Sequence, residues 1–338
     1  MPKITIGTII HGALGDCYEQ LLAIKMFRAN KHNEKWIGFF AASDRMQAMS
    51  HFKLDMLDEI YPADKISSLE IDRFFQFQIK DTELNENVIE KLPNHIKTKF
   101  DFNRNDKPWH FIRNHNFKRN SLSLELSDLG IRHLENCMKH SSLDDILFKK
   151  KNTIGYLWRY RGSGGAIKPY RQKSREKIIQ SKSELFNTLI KKYNAHILIS
   201  GMKKIEDHLQ LYKDILEVAG IPEGEYKAKY TKDELNLPPE NCTYLKGLGY
   251  AAEMEIMAKC NILCMMPSGF SEPLWMRRPN SVLLVDPPLD YILKLWYNRM
   301  PLFNNNQRKY TIYNMFYSHT SSDILSFMQK QKILNRDI

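Results

Sequence analysis

Apolar and polar positions alternate between two regimes along the chain. Short runs that are continuously apolar or β-branched give way to longer stretches with an apolar residue every three to four positions. Runs of the first kind predict strands buried on both faces, and the second pattern predicts amphipathic helices. The strands predicted in this way lie at 4–10, 36–42, 66–71, 153–158, 196–200, 243–245, 262–266 and 281–286. Helices are predicted at 16–29, 175–193, 205–218 and 251–259, with a last one near 322–332. Strands alternating with helices imply α/β architecture with parallel sheets covered on both faces. The pattern is clear from residue 4, blurs across 72–120 and restarts at 153. Such a break predicts two Rossmann-like domains, 1–148 and 149–304, joined by a linker near 144–151. Residues 305–338 are expected to form a tail and helix packing back on the body.

Composition narrows the class without changing this picture. At 338 residues the chain is long enough for about two domains and a core that needs no disulfides. Gly (15) and Pro (14) are too few for a collagenous or low-complexity chain. No run of about 18 apolar residues occurs, so no membrane-spanning helix is expected. The opening MPKITIGTII reads as a strand rather than a signal peptide, and a cytoplasmic location follows (that of the host cell if the protein is viral). The five cysteines (Cys17, Cys137, Cys242, Cys260 and Cys264) are odd in number and fit a reducing compartment. Cys260 and Cys264 lack the second Cys or His pair that a structural zinc site needs.

Charge is unevenly placed. Of the formal net +11, residues 91–120 hold +6 and residues 149–177 hold +9, leaving the remainder at −4. Concentrated positive charge attracts anions, or is simply a solvated basic face. No zinc finger, basic zipper or RNA-recognition motif is legible, so nucleic acid is not the expected partner. The aromatics Trp109, His110, Phe111, His115 and Phe117 in the first basic segment suit either sugar stacking or core packing.

Three segments carry candidate chemistry. The first follows the opening strand: His11-Gly12-Ala13-Leu14-Gly15-Asp16. Glycines let the chain turn from strand to helix at the carboxyl edge of a sheet, where open α/β folds bind ligands. Asp16 is then either a helix cap or a general base at that edge. Leu14 and Cys17 break the full Gly-x-Gly-x-x-Gly of a dinucleotide site. Asp44 and Asp72, each after an apolar run, are further carboxylates for this site. The second segment follows the 153–158 strand with Arg159, Arg161, Gly162, Gly164, Gly165, Lys168 and Arg171. Backbone N–H groups exposed by glycine, with Arg and Lys, suit a phosphate; a flexible basic loop is the plainer alternative. The third follows the 262–266 strand with Ser268, Gly269, Phe270, Ser271 and Glu272 before a helix start. Its hydroxyls and backbone N–H groups suit a diphosphate, and Glu272 suits ribose hydroxyls; an ordinary capped helix is the alternative.

The segment around Gly12-Ala13-Leu14-Gly15-Asp16 resembles the Gly-x-x-Gly-Asp loop of heptosyltransferase-like GT-B glycosyltransferases. In that family the aspartate after the second glycine is the proposed base, a role the resemblance passes to Asp16. Thr243-Tyr244-Leu245-Lys246-Gly247-Leu248 resembles the segment that reads the nucleotide base in GT-B enzymes, which implicates Tyr244 and Leu245. The order of basic loop, base-reading strand and Ser-Gly-x-Ser-Glu turn is that of a GT-B donor domain. The resemblance therefore implies two Rossmann-like domains facing across a cleft, the N-terminal one holding a glycan or glycoprotein acceptor near His11, Gly12, Gly15, Asp44 and Asp72. It implies direct-displacement, inverting transfer from a nucleotide sugar, with the nucleotide sugar as co-substrate and no resident cofactor. No Asp-x-Asp occurs in the chain, so metal-independent neutralisation of the diphosphate is expected. Ser271-Glu272 replaces the family's small residue–Gly–His motif, so its sugar specificity does not carry over. The chain is also similar to glycosyltransferases of large algal viruses (chloroviruses), of the xylosyltransferase type that decorates capsid N-glycans, which favours UDP-xylose. The rival readings are a nucleic-acid-binding protein and a non-catalytic nucleotide- or glycan-binding module.

Overall fold

A computed structural model describes residues 4–29, 33–77, 94–97, 100–101, 108, 111–112, 123–140, 143–149, 152–157, 172–200, 237–245, 248–265, 274, 281–285, 310–314 and 321–330. The chain divides into two compact units, one built on Met1–Glu135 and the other on Asn136–Pro267 with later segments.

In the first unit β1 (Ile4–Ile10) leads through a short loop to α1 (Leu14–Arg28), then β2 (Glu34–Phe40) and α2 (Ser43–Met49). β3 (Glu59–Pro62), β4 (Arg73–Phe75), α3 (Asn94–Lys97) and β5 (Phe100–Asp101) follow, and α4 (Asp128–His140) spans the division between the units. The sheet is parallel throughout, in the order β3-β2-β1-β4-β5. β1 is central because it is β-branched and apolar on both faces, as a doubly covered strand must be. One face packs Ile9, Ile37, Phe39 and Phe74 with Ile66, Ile71 and Ile96. An aromatic cluster forms elsewhere in the unit: Phe27 stacks on Phe75 at 4.4 Å, Trp36 meets both rings, and Phe111 meets Phe27 and Phe77. Burying one such side chain stabilises by about 1.5–3 kcal/mol. Phe111 is thus a core residue; Trp109, His110, His115 and Phe117 lie outside the described residues. α1 is buried nearly all round and closes with Arg28, which donates to the Met56 carbonyl at 2.8 Å and pairs with Asp58 at 2.8 Å.

The second unit holds α5 (Leu143–Lys149), β6 (Asn152–Leu157), α6 (Gln172–Tyr193), β7 (Ala195–Ser200) and β8 (Cys242–Tyr244). It continues with α7 (Tyr250–Ala258), β9 (Ile262–Met265), β10 (Ser281–Val285), β11 (Tyr310–Asn314) and α8 (Ser321–Lys330). Six parallel strands run in the order β11-β10-β9-β6-β7-β8. Leu185, Phe186, Leu189 and Ile190 of α6 pack on Ile154, Tyr156, Ile197 and Ile262 of the sheet, with Ile324 and Met328 of α8 in the same core.

Several elements differ from expectation. The run at 66–71 is not a strand: Ala63–Ser68 forms a 3₁₀ turn, with Ile66 and Ile71 as buried anchors, and the strand is β4. The missed β3 is a four-residue edge strand ending in Pro62, a length and composition that periodicity cannot separate from loop. The expected linker at 144–151 is largely helical, because Leu143 is fully buried and seats α5, and the compact units divide at Glu135. Within the segment expected as a tail packing back on the body, Tyr310 and Tyr313 belong to a strand that was not foreseen, β11, paired with β10. The predicted helix at 205–218 lies outside the described residues.

Candidate functional site

All strands of the first sheet point the same way, so the ends of β1 and β2 emerge at one edge, with α1 and α2 starting there. Backbone continuity at this edge is set by Ala41, whose N–H donates to the Ile10 carbonyl at 3.0 Å. Past Ile10 the chain turns at Gly12, whose φ of +92° is a conformation that favours glycine. Ala13 is extended (φ −72°, ψ 168°) and serves as the N-cap of α1. Asp16 is therefore the third residue of the helix, and Gly15 lies inside the first turn, where sequence reasoning had placed a second turn-forming glycine. Only Gly12 makes the turn.

The Asp16 carboxylate reaches back along this turn. Its Oδ2 accepts from the Ala13 N–H at 2.9 Å, and a Cβ added to Gly12 would stand 2.9 Å from that oxygen. A carboxylate at the positive end of a helix is stabilised in its charged form. Asp16 is half-buried, so it is held in place by the loop yet reachable from solvent. It is a cap in the reverse sense: Ala13 has no side-chain acceptor to return the bond. The side chain thus makes the cap contact and stands at the sheet edge where a general base was expected.

α2 brings Asp44 and Arg45 to the same edge. The two form an ion pair, and Arg45 Nε donates to the Gly12 carbonyl at 3.4 Å. The Asp44 side chain is well exposed and Arg45 about one-third exposed (34%). The Cys17 thiol lies within reach of these charges. It is pushed up to about 12, first by burial and then by Asp16, with Arg45 opposing and Asp44 adding to the rise. Under the loop, buried amides lock the backbone. Gln76, just past the end of β4, takes the Ile9 N–H and gives to the Ile9 carbonyl, both at 3.0 Å, replacing the strand partner that β4 no longer supplies. Gln20 donates to the His11 carbonyl at 2.7 Å and the Asp16 carbonyl at 3.1 Å. Leaving such a buried group unsatisfied costs about 1–3 kcal/mol. His11 itself is buried.

The structure thus brings together His11, Gly12, Gly15, Asp16 and Asp44. Asp72 lies apart from them. It precedes β4 at the opposite, amino edge of the sheet, where it accepts from the Thr5 N–H at 2.7 Å. Its apparent position after a strand came from the misplaced 66–71 run. Arg45, Cys17, Gln20 and Gln76 were missed by sequence reasoning. Arg45 was detectable as the cation adjoining Asp44; the glutamines carry no sequence signal, because their partners are backbone groups set by the fold.

In the second unit, β6 ends at Leu157 and β9 at Met265, and these neighbours run parallel with Gly155 opposite Leu263. Arg159, Arg161, Lys168, Ser268, Gly269, Phe270, Ser271 and Glu272, which follow those ends in sequence, lie outside the described residues. Tyr244 ends β8 and is exposed, whereas Leu245 is buried with its N–H on the Ile199 carbonyl at 2.8 Å. A polar contact not foreseen joins the same edge: Ser200, the last residue of β7, donates to Glu253 in the first turn of α7 at 2.7 Å. Among the described residues no group of three or more His, Cys, Asp or Glu could hold a metal ion, and no helix is long and apolar enough to cross a membrane.

No protein-family profile matches the chain, and no curated protein matches it in sequence. Its structure is similar to the crystal structure of a glycosyl transferase family 9 protein from Veillonella parvula DSM 2008, with a TM-score of 0.54 and 12% identity over 98% of both chains. It is also similar to ADP-heptose lps heptosyltransferase II of E. coli, with a TM-score of 0.51 and 12% identity over 97% of this chain and 98% of that one. The fold is mixed α/β with two parallel sheets, as in these GT-B glycosyltransferases.

Proposed function

We propose that this chain is a glycosyltransferase that moves a sugar from a nucleotide-sugar donor to an acceptor hydroxyl, with Asp16 as the general base. The observation that carries this reading is the Asp16 carboxylate, anchored through Oδ2 at the start of α1 on the carboxyl edge of a parallel sheet, the edge at which open α/β folds bind ligands. The full-length likeness in fold to two glycosyltransferases supports the reaction class.

In the proposed reaction the acceptor oxygen attacks the anomeric carbon from the face opposite the diphosphate. The new C–O bond forms as the bond from the anomeric carbon to the diphosphate oxygen breaks. The acceptor proton passes to Asp16, and the diphosphate leaves with the bonding electron pair. Configuration inverts. Arg159, Arg161 and Lys168, with the N–H and hydroxyl groups of Ser268, Gly269, Phe270 and Ser271, are the groups assigned to the departing charge. Glu272 is assigned to the ribose and Tyr244 to the base, its exposed ring offering a stacking face. The missing Asp-x-Asp supports transfer without a metal. UDP-xylose is the donor to try first, on the resemblance to chlorovirus xylosyltransferases, and a glycan is the acceptor class.

The test is Asp16→Asn, which keeps the size and much of the capping ability of the side chain. With a panel of UDP-sugars including UDP-xylose, UDP binding should be retained while kcat falls by about 10²–10⁴-fold, the usual worth of a general base. Full turnover by this variant would refute the assignment, and a product with retained configuration would refute direct displacement.

A further inference from the structure

The mechanism leaves unused the ion pair beside its base. We propose that Asp44 and Arg45 are positioning residues that set the charge state of Asp16: Arg45 holds the carboxylate ionised, and Asp44 anchors Arg45 so that its cation is not spent wholly on Asp16. This rests on the reading of Asp16 as the base.

The geometry supplies each part. Gly12 is the shared point of contact: its carbonyl takes the Arg45 Nε bond at 3.4 Å, and a Cβ added to it would stand 2.9 Å from the Asp16 Oδ2. Arg45 is fixed at its other end by the Asp44 carboxylate through Nη1. That carboxylate also accepts the Arg45 backbone N–H at 2.8 Å, which holds Asp44 in place at the start of α2. The guanidinium is therefore tethered at both ends against the loop that carries Asp16. Asp16, Asp44 and Arg45 all act electrostatically on the Cys17 sulfur.

A nearby cation favours the carboxylate form and a nearby anion disfavours it. Among the described residues, the other groups on the elements packed here are His11 just past β1, Cys17 and Glu19 on α1, and Gln20 and Gln76 beneath the loop. The two glutamines are uncharged. The Cys17 thiol, pushed up to about 12, stays neutral at ordinary pH. His11 and Glu19 are common to every variant below, so their effects cancel in the comparison. With Asp44 removed, the Arg45 charge is freed towards Asp16, which becomes a weaker base. With Arg45 removed, the Asp44 carboxylate stays at the same edge without that cation, and Asp16 gains a proton more easily. The two substitutions thus act in opposite directions, a pattern that loss of packing does not produce.

The experiment is a pH titration of the full chain labelled with ¹³C at the aspartate carboxyls, the Asp16 signal being the one absent from Asp16→Asn. The Asp16 midpoint should rise by about half a pH unit or more in Arg45→Gln and fall in Asp44→Asn. In Arg45→Lys, which keeps the charge, it should stay within a few tenths of wild type. Release of UDP from UDP-xylose, measured across pH, should show its acid limb moving the same way. Midpoints that do not move, or that move in one direction in both variants, overturn the inference while leaving the base assignment standing. Full turnover by Asp16→Asn would overturn the base assignment, whatever the titration shows.

Discussion

Replacing Gly12 by Ala tests the architecture of the first loop at its tightest point. Two separate costs arise. The backbone sits at φ +92°, where a side chain is strained by about 1–3 kcal/mol. The new Cβ would also stand 2.9 Å from both Cβ and Oδ2 of Asp16, closer than real contacts allow. Asp16 must then rotate away, and the Oδ2 bond to the Ala13 N–H is lost, worth about 0.5–2 kcal/mol as a cap. The sum is about 1.5–5 kcal/mol. Urea unfolding followed by circular dichroism should show it, and the apparent Tm should fall by roughly 5–15 °C on the usual scaling for domains of this size. The cost should shrink by about 1 kcal/mol or more when Gly12→Ala is made in an Asp16→Ala background, since the oxygen it strikes is gone. A total cost below about 1 kcal/mol, or one undiminished in that background, would refute the reasoning.

Gly130→Ala should be worse still. Its Cβ would fall 2.1 Å from the His51 carbonyl oxygen, a backbone atom that cannot swing aside, so a loss above about 3 kcal/mol or failure to fold is expected in the same unfolding assay. Cys17 makes stability pH-dependent on the alkaline side. Its thiol is raised from 9.0 to about 12 in the folded chain, so the folded state keeps a proton that the unfolded state has released. Stability from this group is complete below pH 9 and should drop by about 1.4 kcal/mol per pH unit above it, relative to a Cys17→Ala variant measured over the same range. Parallel slopes for the two proteins would contradict this. Finally, turnover should persist in excess EDTA; loss restored by manganese or magnesium would overturn the metal-independent scheme.

The alternation of strand and helix by itself determined the fold class and the bounds of most sheet strands. β1 came out at its full extent, and β6, β7, β8 and β9 within a residue or so at each end. β1, β6, β7 and β9 are largely buried on both faces, and a continuous β-branched or apolar run has no other stable place in a folded chain, whereas β8 is a short, partly exposed edge strand. Gly12 and Asp16 were legible for a related reason: a glycine and an acid between a strand and a helix are demanded by local backbone geometry. What tertiary structure decided was everything that depends on a distant partner. β3 and β4 become strands only through pairing with β2 and β1, and Ile66 and Ile71 leave their predicted strand to anchor the core. Asp44 joins the site because β1 and β2 end at one edge, whereas Asp72 is sent to the other by the same parallel register. Gln20 and Gln76 matter only because folding places them under Ile9 and His11, and Arg45 only because α2 starts beside Gly12. Local pattern reports what a residue's own segment must bury or turn; which charges meet is fixed by strand order and register, and these are properties of the whole sheet.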